Sequence, residues 1–227
     1  MALDRGTRGG RVLTGGDAQP GRLAELVAVM DRLRSPGGCP WDAEQTHASL
    51  APYALEEAYE LVEAIEHDDR AGLREELGDL LLQVVFHARV AQEDPADPFD
   101  VDDVAGDLVD KLVRRHPHVF AGADGAADDE GRHVAWDRLK RQEKPARASA
   151  LDGVPRAMGA LARAQKLVAR ADRAGLVVEP PAGEDVGTRL LALVREARAA
   201  GLDAEGELRR ATDTWEARAR AVEAPPA

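Results

Sequence analysis

Apolar positions recur at helical spacing in several stretches of the chain. Leu23, Leu26, Val27, Met30 and Leu33 predict a first helix over Arg22–Arg34, ended by Pro36-Gly37-Gly38. Leu55, Ala58, Tyr59, Val62 and Ile65 carry the same period in a second stretch, and a third runs over residues 77–90. Only a short polar turn around His67-Asp68-Asp69 separates these two, so the pair should pack antiparallel. Leu80, Leu81, Leu82, Val84, Val85 and Phe86 cover most directions of the third helix, which predicts that it is buried nearly all round. Pro95 and Pro98 mark a break. Asp100 then suits the N-cap of a helix over Val101–Arg115.

The chemistry sits where the pattern turns polar. Glu57 and Glu60 are three residues apart, which on a helix sets them about 60° apart and about 4.5 Å along the axis, on one face. Glu76 and Asp79 repeat the spacing on the neighbouring helix, so the two pairs should meet across the hairpin. The polar residues of that helix, Glu76, Asp79, Gln83 and His87, form one stripe with no Lys or Arg on it. A carboxylate in an apolar environment needs a cation or donors. A bound metal ion is the economical partner. Hard oxygen ligands favour Mg²⁺, with Mn²⁺ as a substitute, and Mg²⁺ is usually completed by waters and substrate phosphates. A solvated acidic face remains the alternative for the first cluster taken alone.

Four runs together resemble the MazG family of nucleoside triphosphate pyrophosphohydrolases: residues 39–47 (CPWDAEQTH), 56–60 (EEAYE), 76–79 (ELGD) and 114–120 (RRHPHVF). The resemblance covers roughly residues 23–143. It implies an all-α domain built like a four-helix bundle, and a Mg²⁺-dependent enzyme that cleaves nucleoside triphosphates to the monophosphate and pyrophosphate. Glu57, Glu60, Glu76 and Asp79 are then the metal ligands, with Glu56 an outer carboxylate or general base. Lys111 and Arg115, one turn apart, become phosphate-binding candidates, although a basic helix end has a structural reading too. The family resemblance also places Trp41 near the nucleotide and closes Trp136 and Lys140 over it, whereas the residues alone read both tryptophans as packing. His116-Pro117-His118 reads as a helix terminus before it reads as a metal site. MazG-like domains commonly dimerise, so a homodimer is implied.

Composition narrows the field. With 227 residues, 44% hydrophobic and 4% aromatic, the chain suits one or two helical domains. A net charge of −12 excludes the basic field of a general nucleic-acid binder. A triphosphate must therefore arrive with its metal and meet a local positive cluster. The single cysteine, Cys39, excludes a disulfide framework and fits the reducing cytoplasm. No stretch reads as a secretory signal or reaches the length of a membrane span.

Residues 184–200 align without gaps on 75–91, with eight identities in seventeen positions. Asp79 is replaced by Thr188, Lys111 corresponds to Thr214, and Pro180-Pro181-Ala182-Gly183 stands where a Glu-rich helix should precede. The second copy cannot build the carboxylate cage, so it reads as a degenerate partner domain whose Leu190, Leu191, Val194 and Leu202 serve packing. The organisation expected is a flexible lead (1–21), a MazG-like catalytic domain (22–144), a linker (145–155), a degenerate helical domain (156–222) and a tail (223–227). Two alternatives differ in class. One is a narrow pyrophosphatase of the same all-α superfamily acting on dUTP or phosphoribosyl-ATP; the other is a non-catalytic regulatory helical protein with vestigial acidic sites.

Overall fold

The computed structural model describes residues 21–121, 148–179 and 181–223, and every regular element among them is helical. The elements are α1 (Arg22–Arg34), α2 (Pro40–Glu44), α3 (His47–Glu66), α4 (Arg70–Ala91), α5 (Val101–Arg115), α6 (Pro117–Phe120), α7 (Ala160–Arg173), α8 (Val186–Ala199) and α9 (Ala204–Glu223). They divide between two compact units, Met1–His116 and Pro117–Ala227.

In the first unit, α3 and α4 form the antiparallel hairpin that the short turn implies. Asp68 turns the chain in a left-handed conformation, with φ 53°. Asp69 caps α4, its carboxylate accepting from the backbone N–H groups of Ala71 and Gly72 at 3.0 and 3.1 Å. Gly72 gives this start its closeness: a Cβ there would lie 2.7 Å from Asp69 Oδ2 and 3.4 Å from the Ala64 Cβ. At the other end, a reciprocal Thr46–Ser49 capping box starts α3. Met30 of α1, Leu50 of α3, and Val85 and Phe86 of α4 make the core, with Val101 at the start of α5 packed against it.

The expected burial of the third predicted helix, α4, needs correction. Leu77, Leu81 and Val84 remain exposed, at 52%, 38% and 45%. The cause is length: α1, of 13 residues, covers Val85, Ala88 and Arg89 near the C-terminal end of the 22-residue α4 and leaves the other half of that row open. The loop expected between residues 39 and 50 also holds structure, namely α2 and the start of α3. Arg34, its side chain 6% exposed, fixes this segment by donating to the carbonyls of Asp42 (2.6 Å) and Gln45 (2.9 Å) while gripping both oxygens of Glu93 at 2.8 Å. Arg89 joins the same network through Asp31 and Glu93, each at 2.8 Å. Glu93 is held below the usual carboxylate range, chiefly by its Arg34 hydrogen bond.

In the second unit, α7 is tied to the start of α9. The Gln165 amide donates to Leu202 O and accepts from the Ala204 N–H, and Glu205 accepts from the Ala162 N–H. Arg198 of α8 pairs with Asp172 of α7 at 2.8 Å. Of the apolar positions expected to pack here, Val194 is buried and Leu191 half-buried, while Leu190 and Leu202 are largely exposed.

Candidate active site

Three of the four expected ligands converge. Oxygens of Glu57 on α3 and of Glu76 and Asp79 on α4 all lie within 4.8 Å of one another, the only such acidic, His or Cys group among the described residues. Antiparallel packing does this: the same hairpin that sets Ala64 beside Gly72 near the turn sets His47 beside His87 at the far end, with the carboxylates between. Glu60 is exposed and outside the tight trio, yet its charge acts on both Glu57 and Glu76.

Both carboxyls are pushed above the usual range. For Glu57 the causes are burial, then Asp79, Glu60 and Glu56; for Glu76 they are burial, then Glu60, Asp79, Glu57 and Glu75. No cation appears among these influences. Glu76 Oε2 is moreover out of reach of solvent and has no hydrogen-bond partner. A buried carboxylate oxygen lacking a donor and facing like charges is what a divalent cation would satisfy, so the donor set fits a hard metal ion.

One turn beyond Asp79, the buried Gln83 also has an unpartnered Oε1. The stripe then ends on His87, which stacks on His47 with ring centroids 5.1 Å apart and Nδ1 atoms 2.8 Å apart. Burial, then the neighbouring His47, pushes the His87 pKa down. The sequence reading put His87 on the stripe but missed its pairing; counting back from the turn through the hairpin register was the signal that could have found it.

Trp41, on α2, is half exposed and packs edge-on against Tyr53 (6.0 Å) and Phe86 (6.3 Å). Tyr53 lies one turn from Glu57 on α3, and Phe86 lies two turns from Asp79 on α4. The indole therefore serves packing and also leaves a face open near the carboxylate hairpin. Lys111 is half-buried on α5, with Arg115 one turn on. Glu56 is exposed beside Glu57. His116 ends α5 as its C-cap, in keeping with the helix-terminus reading. Trp136 and Lys140 lie outside the described residues.

Residues 45–120 match the family model described as the MazG nucleotide pyrophosphohydrolase domain. The chain is 41% identical to the nucleoside triphosphate pyrophosphohydrolase of Escherichia coli K12, across 89% of this chain and 87% of that protein. The chain belongs to the MazG family. It is also 46% identical to the Mycolicibacterium smegmatis nucleoside triphosphate pyrophosphohydrolase, across 95% of this chain but only 64% of that relative's length. An uncharacterised 26.1 kDa protein of Streptomyces cacaoi is 52% identical across 93% of this chain and 87% of its own. The matched MazG segment contains the whole α3–α4 hairpin and α5, and with them Glu56, Glu57, Glu60, Glu76 and Asp79.

Proposed function

We propose that this chain hydrolyses nucleoside triphosphates to the monophosphate and pyrophosphate at the α3–α4 hairpin, using Mg²⁺. The observation that carries the assignment is the solvent-excluded, unpartnered Glu76 oxygen within 4.8 Å of Glu57 and Asp79 oxygens, in a family whose relatives carry that activity in their names. Glu57, Glu76 and Asp79, with Glu60 at the rim, would hold the ion. When bound, it would neutralise phosphate charge and acidify water. Glu56, exposed beside Glu57, is the candidate to accept the proton of the attacking water. Lys111, Arg115 and Lys140 balance charge on the phosphates, and Trp41 and Trp136 flank the base.

The test is pyrophosphate and monophosphate release from a panel of nucleoside triphosphates with Mg²⁺, with Glu60→Gln as control. Wild type should turn over and Glu60→Gln should lose at least about 10²-fold while remaining folded by circular dichroism. Full turnover by the variant would reject its role as a ligand, and silence of the folded wild type across the panel would reject the activity.

Three further readings belong to the same proposal. The second unit is a degenerate copy of the first. Matched residues support this: Arg89 pairs with Asp31 from α1, and its aligned counterpart Arg198 pairs with Asp172 from α7, both through Nε at 2.8 Å. Thr188, in the place of Asp79, is engaged by the Asp185 cap of α8. Two copies pair as a homodimer, a reading supported by the uncovered apolar rows Leu55 and Tyr59 on α3 and Leu77, Leu81 and Val84 on α4. The enzyme works in the cytoplasm, consistent with a lone free cysteine and with no described helix long and apolar enough to cross a membrane.

A further inference from the structure

The second unit holds a cavity of about 970 Å³ that the proposed reaction does not use. Its apolar wall includes Leu151, Met158, Leu167, Leu176 and Leu191. Into the same cavity come three arginines, Arg156, Arg163 and Arg195, in a chain whose net charge is −12. The acids that line it do not balance them: Asp172 is taken by Arg198 at 2.8 Å, which leaves Glu179. Arg163 Nε is shielded from solvent and has no hydrogen-bond partner. A buried guanidinium N–H without an acceptor is costly, and an anion beside that guanidinium would offset its charge.

The repeat reading accounts for why a hole stands here. With the two Arg–Asp pairs superposed in register, Leu167, Val168 and Ala171 correspond to Leu26, Val27 and Met30, and Leu191 and Val194 correspond to Leu82 and Val85. In the first unit those residues share one core with Leu50 of α3 and Phe86. The second unit has no counterpart of α3 among its described residues, and the Phe86 position has become Arg195. The counterpart of a first-unit core position is thus an exposed cation, where filling the hole would have called for apolar bulk.

We propose that this cavity binds a small organic phosphate, with its apolar or aromatic body against the leucine and methionine wall and its phosphate on Arg163, Arg156 and Arg195. The volume suits a small-molecule site. Three guanidinium forks exceed what the two oxygens of a carboxylate can engage, whereas a phosphate monoester offers three terminal oxygens. Being built from the cavity and its arginines, the assignment stands independently of the activity of the first unit.

The probe is 8-anilinonaphthalene-1-sulfonate, an apolar ring system carrying a tetrahedral oxyanion, titrated by fluorescence into the full chain. Wild type should bind one equivalent, and Arg163→Met should weaken binding about tenfold or more while keeping the side chain's apolar bulk. Arg195→Met, at an exposed residue, should act in the same direction in a protein whose folding is not in question. Adenosine 5′-monophosphate or n-octyl phosphate should displace the probe where inorganic phosphate at equal concentration does not, and whichever is stronger identifies the body as aromatic or aliphatic. Equal binding by wild type and both variants, equal binding of the uncharged N-phenyl-1-naphthylamine, or displacement by neither organic phosphate would overturn the proposal. So would a wild type that binds no probe, the result expected if a protein segment fills the cavity.

Discussion

Glu76 has one carboxylate oxygen that neither solvent nor a donor reaches, beside Glu57 and Asp79. In the absence of metal that arrangement works against folding, because burial and repulsion add with the same sign. Glu76→Gln should therefore raise the thermal midpoint of metal-free protein at pH 7, since an amide carries no charge and can donate to its neighbours. If the proposed site holds Mg²⁺, wild type should shift upward on adding the ion and the same variant should not. A differential scan with and without Mg²⁺ checks both, and a lower metal-free midpoint would contradict the account. Glu93 has the opposite sign. Its carboxyl is depressed by Arg34, so its contribution is present above the ordinary value near 4.5 and is lost as pH falls through the lower folded value. Glu93→Gln should thus flatten the acid limb of wild-type stability, read as denaturation midpoints between pH 3 and 7. At this scale the sequence was legible where partners lie within a turn or two of a helix, as Glu76 and Asp79 do. It was silent on Arg34 and Glu93, which meet across 59 residues with no periodic signal.

At the level of elements, legibility followed end signals. The bounds of α1 and α5 were readable because Pro36 and the glycines stop one helix and Asp100 opens the other, accepting from Asp102 and Asp103 while Asp103 returns the bond. Helix α2, of five residues, is too short to carry a period, and Gly38 is what allows it: a Cβ there would lie 2.2 Å from the Leu33 carbonyl. The exposed half of α4 was unreadable for another reason, since burial depends on the length of the helix laid across it. The hairpin itself rests on a cap that can be tested. Asp69→Ala removes two hydrogen bonds to the first turn of α4 and should cost about 1 kcal/mol in urea denaturation, with turnover falling only as far as the folded fraction does. A variant of unchanged stability would show that the turn is held by other contacts.

Across the whole molecule, what remained out of reach of the sequence is how apolar surface is shared. The exposed rows on α3 and α4 are larger than scattered surface residues require, and they give the proposed dimer its test. Leu81→Lys should move the chain from dimer to monomer in sedimentation velocity without unfolding it; a monomeric wild type would remove the pairing altogether. The likeness of residues 184–200 to 75–91 was visible in the sequence, but the pattern offered no Glu-rich helix ahead of it, and no described helix of the second unit stands in that place.

The hairpin has a kinetic side as well. Glu57, Glu76 and Asp79 belong to two consecutive helices, so a single short loop closure brings the three carboxylates together, with little chain entropy lost compared with contacts between distant segments. A nascent or partly melted chain can assemble this carboxylate cluster before the second unit exists.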